Sequence, residues 1–168
     1  MLDFLFRRLT AEWPGAPLFD AISDRARRPH WYVEGKIPDT LDGRFAVLAT
    51  ILALTIVRLE RDGEAGNTAS VALTERFIEV MESEHRELGM GDPTLGKTVR
   101  RLIGSLARRT GLWRSAAESE SDWVATVRES LYKDTPTPDA LNHCATELRR
   151  MWNLLERASL DDLKQGKF

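Results

Sequence analysis

Apolar positions recur at three- and four-residue spacing along most of this chain, the signature of helices with one buried stripe. Leu2, Leu5, Phe6 and Leu9 share one face of a first short helix, ended by Pro14 and Pro17. A second helical segment runs from about Ala16 to Arg28 and stops at Pro29. The stretch Pro29–Pro38 loses the periodicity and contains two prolines and Gly35, which predicts an extended crossing over residues 29–38. Asp39 has the chemistry of an N-cap for a long helix reaching about Arg61. Within that helix, Phe45 to Val57 is apolar on nearly every side, as a central buried helix requires.

Gly63 to Gly66 read as a turn. The next helix carries Val71, Leu73, Phe77, Val80, Met81 and Leu88 on or near one stripe, with Glu75, Glu79, Glu82, Glu84 and Glu87 on the other face. Gly89 suits the left-handed residue that closes it, and Asp92 reads as the cap of the following helix, with Pro93 at its first position. Leu95, Val99, Leu102, Ile103 and Leu106 form that helix's buried face, and Gly111 is expected to end it. Two further helices fall near Arg114–Lys133 and Thr137–Ser159, separated by Pro136 and Pro138. No window alternates with a period of two, so the expectation is an all-α fold: one compact domain over residues 1–168, with about six to seven helices.

Composition narrows the function classes. Of 168 residues, 42% are hydrophobic and 30% charged, a balance that supports a folded core. The net charge of -2 gives no global attraction to nucleic acid or anionic lipid, so specific DNA binding is not expected and electrostatic recognition must come from local patches. Cys144 is the only cysteine, which predicts a reducing compartment. The run Phe45–Val57 is shorter than the ~20 apolar residues of a membrane span. The N-terminal apolar stretch is too short for a secretory signal core, and its basic residues follow rather than precede it. A soluble cytoplasmic protein is expected, with peripheral contact at the inner membrane as its nearest approach to lipid.

Gly91-Asp92-Pro93-Thr94-Leu95-Gly96-Lys97-Thr98 matches the phosphate-loop pattern GxxxxGK[ST]. That loop needs a buried strand before it and a row of free backbone N–H groups to hold phosphate. Here Val80–Leu88 reads as a charged amphipathic helix, Pro93 has no N–H, and the Asp92 carboxylate would repel phosphate. The match is therefore read as a helix start, with Leu95 inward, Lys97 outward and Gly96 permitting close approach of another backbone. His30, His85 and His143 lack metal-ligand spacing: Glu84 and His85, like His143 and Cys144, are adjacent and diverge by about 100° on a helix. No serine or cysteine stands in a recognisable nucleophile set. No cofactor, metal or catalytic residue is expected, and the chain is read as a non-enzyme.

Two surface features have both a structural and a functional reading. Acid dominates residues 75–87, whereas Lys97, Arg100, Arg101, Arg108, Arg109 and Arg114 follow with only Asp92 opposed. Neighbouring helices attracting one another would explain this, and so would a basic stripe that meets ribosomal RNA, acidic protein or anionic headgroups. Trp31 and Tyr32 either present a recognition surface on the crossing or anchor it over the core. Leu2, Phe4, Leu5 and Phe6, followed by Arg7 and Arg8, either dock on a membrane surface or cover the core.

The run from Trp31 to Phe45, WYVEGKIPDTLDGRF, together with Glu87-Leu88-Gly89-Met90-Gly91-Asp92, resembles the ubiquinol–cytochrome c chaperone family. In that family a Trp-Tyr segment leads into Pro-Asp-Thr-Leu-Asp-Gly-Arg-Phe. A later helix ends in a Met-Gly-Val-Gly-Asp-like junction, followed by Gly-Lys and basic residues, positions held here by Gly96, Lys97, Arg100 and Arg101. The resemblance covers roughly residues 16–155. It implies a helical domain without chemistry of its own that looks after newly made cytochrome b before bc1 assembly. In mitochondrial members this occurs near the ribosome exit and with a small partner protein. This chain lacks a mitochondrial-type leader, so it resembles a bacterial member, and cytochrome b is the more transferable partner than the ribosome. Trp31, Tyr32, Asp39, Asp42, Arg44, Lys97, Arg100 and Arg101 are the implied client- or partner-binding residues, and Gly89, Gly91 and Asp92 the structural junction. The client groove is expected between the helix over 39–61 and its neighbours.

Overall fold

The apolar run Phe45–Val57 forms the axis of the molecule. The computed structural model describes residues 14–119 and 122–168. Among these lie eight helices and no strand: α1 Ala16–Ala26, α2 His30–Val33, α3 Leu41–Glu60, α4 Gly63–Glu87, α5 Asp92–Glu118, α6 Trp123–Leu131, α7 Pro138–Arg157 and α8 Leu160–Lys164. The fold is all-α, and none of these helices is long and apolar enough to cross a membrane. The expected first helix at Leu2–Leu9 lies outside the described residues.

From Ala46 to Leu59 every residue of α3 except Leu48 is buried, because α1, α4, α5, α6 and α7 all pack on it. Each fully buried Leu or Ile there contributes about 1.5–3 kcal/mol of hydrophobic stabilisation. Two polar residues tolerate this position by bonding inward: Thr50 Oγ1 donates to Ala46 O at 2.7 Å and Thr55 Oγ1 to Ile51 O at 2.9 Å. The buried Arg58 donates to Leu155 O and Ala158 O, both at 2.9 Å, and pairs with Asp62 at 2.6 Å. It thereby satisfies carbonyls that the end of α7 leaves without helical partners. Trp113 of α5 meets Trp123 of α6 edge-on, with ring centroids 4.8 Å apart, and so fixes the turn between those helices.

Several boundaries differ from the sequence reading. The crossing opens with a helical turn, α2, because Pro29 holds φ at -58° and the Trp31 and Tyr32 side chains bond back to the end of α1. The N-cap of α3 is Thr40, not Asp39: Thr40 is extended and its side chain accepts the Gly43 N–H at 3.2 Å. Likewise Gly91, not Asp92, caps α5. The expected Gly63–Gly66 turn shrinks to Arg61–Asp62, with Gly66 in the first turn of α4 facing the Leu59 carbonyl too closely for a side chain. Gly111 does not end α5, which continues to Glu118 because Thr110, Trp113 and Ala116 bury the following turns. The expected Arg114–Lys133 helix begins only at Trp123. Val71 and Leu88 prove exposed, and a Cβ on Gly96 would meet nothing within 4 Å, so no backbone approaches it.

Candidate functional site

At its N-terminal end α3 leaves the core and becomes one wall of a groove of about 1250 Å³. The end of α1 and the crossing from Tyr32 to Pro38 flank it on one side, α4 and α5 on another, and the segment Glu129–Thr137 on a third. Two glycines let the crossing lie this close to its neighbours: a Cβ on Gly43 of α3 would come 1.9 Å from Pro38 O, and one on Gly35 would come 2.6 Å from Cys144 Sγ of α7. The Tyr132 hydroxyl lies 2.7 Å from Gly35 O and 3.1 Å from Cys144 Sγ, tying the crossing to α7. Burial, and after it their mutual contact, pushes the Tyr132 phenol up; burial also raises the Cys144 thiol, so both stay protonated at neutral pH.

The groove is apolar in its depth and charged at its rim. Phe45, Leu48, Val80, Met81 and Leu102 line the buried and half-buried part, while Val33 and Leu41 stand 57% and 61% exposed at the mouth. Seven arginine and lysine side chains line it against five acids, although the chain as a whole carries -2. At the rim Arg44 Nε meets Asp39 at 2.6 Å, Lys133 Nζ meets Asp42 at 2.6 Å, and Arg108 meets Glu129 at 2.9 Å. The hydrogen bonds from Arg44 and Lys133 hold the Asp39 and Asp42 carboxyls below their ordinary values. Exposed pairs of this kind contribute little stability. They set the pattern of charge along the rim.

Of the residues singled out in the sequence, Tyr32, Asp39, Asp42, Arg44 and Arg101 come together on this groove. Trp31 does not: it is 1% exposed and its indole N–H donates to Arg25 O at 2.9 Å, the anchoring role. Tyr32 shares that role through its hydroxyl, 2.9 Å from Ala26 O, yet keeps its ring on the groove. Lys97 and Arg100 are exposed on α5 outside the lining, without a carboxylate in ion-pair range among the described residues. No ion pair among the described residues joins the acids of α4 to the bases of α5. Gly89 is left-handed at φ +85° and, with Gly91 and Asp92, forms a helix–helix junction; the phosphate-loop pattern is the start of α5.

Two arrangements were invisible in the sequence. His30 Nδ1 and His143 Nε2 lie 3.0 Å apart although 113 positions separate them, so no local spacing could pair them. Among the described residues no group of three or more metal-ligand side chains forms, and the pair remains a hydrogen bond between the crossing and α7. Arg109 belonged to the basic stripe in sequence but is 7% exposed and lines the groove.

No curated protein matches the chain. Among solved structures, the crystal structure of the Cbp3 homolog from Brucella abortus superposes with a TM-score of 0.73 at 25% identity, covering 99% of this chain and 94% of that one. The family model described as ubiquinol-cytochrome C chaperone matches residues 33–168, which include the α3 wall of the groove, the Gly89–Asp92 junction and every element after it. The chain belongs to the ubiquinol–cytochrome c chaperone family.

Proposed function

We propose that this chain is a non-enzymatic assembly chaperone that binds newly made cytochrome b in the groove and promotes assembly of the bc1 complex. The observation that carries this reading is the groove's construction: an apolar depth reached through exposed Val33 and Leu41 and bounded by charge. Cytochrome b is a membrane protein, and its apolar segments aggregate in water unless covered. A helical protein with an apolar groove covers such a segment by laying it against its own side chains, the helix-in-groove mode of recognition. Tyr32, Asp39, Asp42, Arg44 and Arg101 are the contact residues this assigns, and Gly35 and Gly43 keep the wall in place. The proposal assigns the groove residues to binding and gives none of them a catalytic role.

The test is recovery of cytochrome b with tagged protein from a respiring host, together with bc1 levels read by haem spectroscopy after deletion. Recovery of unrelated partners alone, or unchanged bc1 levels, would reject the proposal. The exposed and unpaired Lys97 and Arg100 favour a second, compatible contact with an anionic surface, such as the ribosome where the client emerges. Binding to ribosomes that does not weaken with salt would remove it.

A further inference from the structure

Arg109 is buried in the groove wall, and among the described residues no acid neutralises it. Its Nε and Nη2 donate to Ser130 O at 3.1 and 2.8 Å, and Nη1 donates to the Ser105 carbonyl at 3.3 Å and to the Ser105 hydroxyl. All of these acceptors are neutral. Among the described residues no carboxylate lies in ion-pair range of this guanidinium; the charged neighbour that acts on it is Arg108, which repels it. Burial and that repulsion hold its pKa down to about 10, so it stays charged at neutral pH. A guanidinium has five N–H groups, and these four contacts leave at least one of them without a partner. The Phe45 ring, 5.8 Å from the guanidinium carbon, lies on the apolar side. A cation taken out of water without a counter-charge is costly, and an incoming anion removes that cost.

We propose that Arg109 is the anchor for a single carboxylate carried on the apolar face of a client helix. The groove exceeds the ~300–1,000 Å³ typical of small-molecule pockets, which suits a polypeptide segment. Its lining carries more base than acid on a chain of net charge -2, so it favours an anionic visitor. A flat lipid surface reaches a protruding basic face, not a cation sunk in a wall, whereas a side chain projecting from a helix does reach it. This anchor rests on the proposed use of the groove.

The test uses the full chain and matched amphipathic helical peptides whose apolar face carries one central Glu or Gln. The Glu peptide is expected to bind about tenfold or more tightly, the effect of one charge-assisted hydrogen bond in a desolvated site. Arg109→Gln is expected to erase the difference. That variant also removes bonds to Ser130 and Ser105, so it is checked by circular dichroism, and the Glu-against-Gln comparison on the unaltered chain decides the matter even if it misfolds. Equal binding, or none by either peptide, overturns the anchor. Displacement of the Glu peptide by phosphatidylglycerol vesicles would overturn it in favour of a headgroup phosphate. Cytochrome b recovered normally by a chain with no Glu preference sinks the anchor and leaves the chaperone reading standing; a Glu preference without cytochrome b recovery supports the anchor and sinks the client assignment.

Discussion

Thr40 and Asp39 stand side by side with cap-forming side chains, and only the backbone separates their roles. Thr40 is extended and takes the Gly43 N–H, while Asp39 turns outward to Arg44. Thr40→Ala should therefore cost about 1 kcal/mol in urea unfolding, and Asp39→Ala clearly less, since its ion pair is exposed; the reverse order would contradict the assignment. The same limit on sequence reading applies to Trp31, where aromatic chemistry fits both a surface and an anchor until the indole bond to Arg25 O places it. His30 shows a consequence of contact across the fold. Burial lowers its pKa, His143 and Arg28 push the same way, and Glu147 and Glu34 oppose. Its folded value lies below the unfolded ~6.5, so the folded state binds fewer protons and the contribution is complete above that value. Stability should then fall as pH drops from about 7 towards about 5. His30→Gln should make that fall shallower, measured as the urea midpoint at each pH, while an unchanged slope would exclude the pair as its source.

Long periodic segments were legible in the sequence because their packing repeats along the element. The stripe of α4 and the all-round burial of α3 both follow from side-chain pattern alone. Ends were less legible, because a helix continues past a glycine wherever tertiary contacts outweigh the roughly 1 kcal/mol propensity cost, as α5 does past Gly111. The last helix, α8, is too short to show a period at all and depends on contacts with α1. Leu163 is fully buried, Arg25 lies 4.4 Å over the Phe168 ring, and a Cβ on Gly166 would come 2.5 Å from Pro17 O. Leu163→Ala should remove about 2 kcal/mol or more of stability. Because α1 also supplies Phe19, Ser23 and Ala26 to the groove, its amides should exchange faster in the same variant. A loss of stability with α1 protection unchanged would show that α8 stabilises the fold elsewhere.

At the scale of the molecule, the groove exists because α3 is longer than the core that surrounds it. Its middle is enclosed by five helices, and its first turns emerge between the crossing and α5 with Leu41 facing solvent. The residues shared with the family were legible as a motif, but the groove they line was not, since it is assembled from four separate stretches of chain, within 19–48, 80–85, 101–109 and 129–137. Val33 and Leu41 mark where folding and binding make opposite demands: a water-exposed Val or Leu adds little to stability, yet both stand at the mouth of the apolar depth. Replacing both with Asp should change the unfolding free energy by no more than about 0.5 kcal/mol each, the range of surface substitutions. If the groove takes its client as proposed, the same change places two carboxylates at the entrance, so cytochrome b recovery and bc1 levels should both collapse. Loss of client binding at unchanged stability would locate the entrance at these two residues. Normal recovery by the folded double variant would move the client to another face.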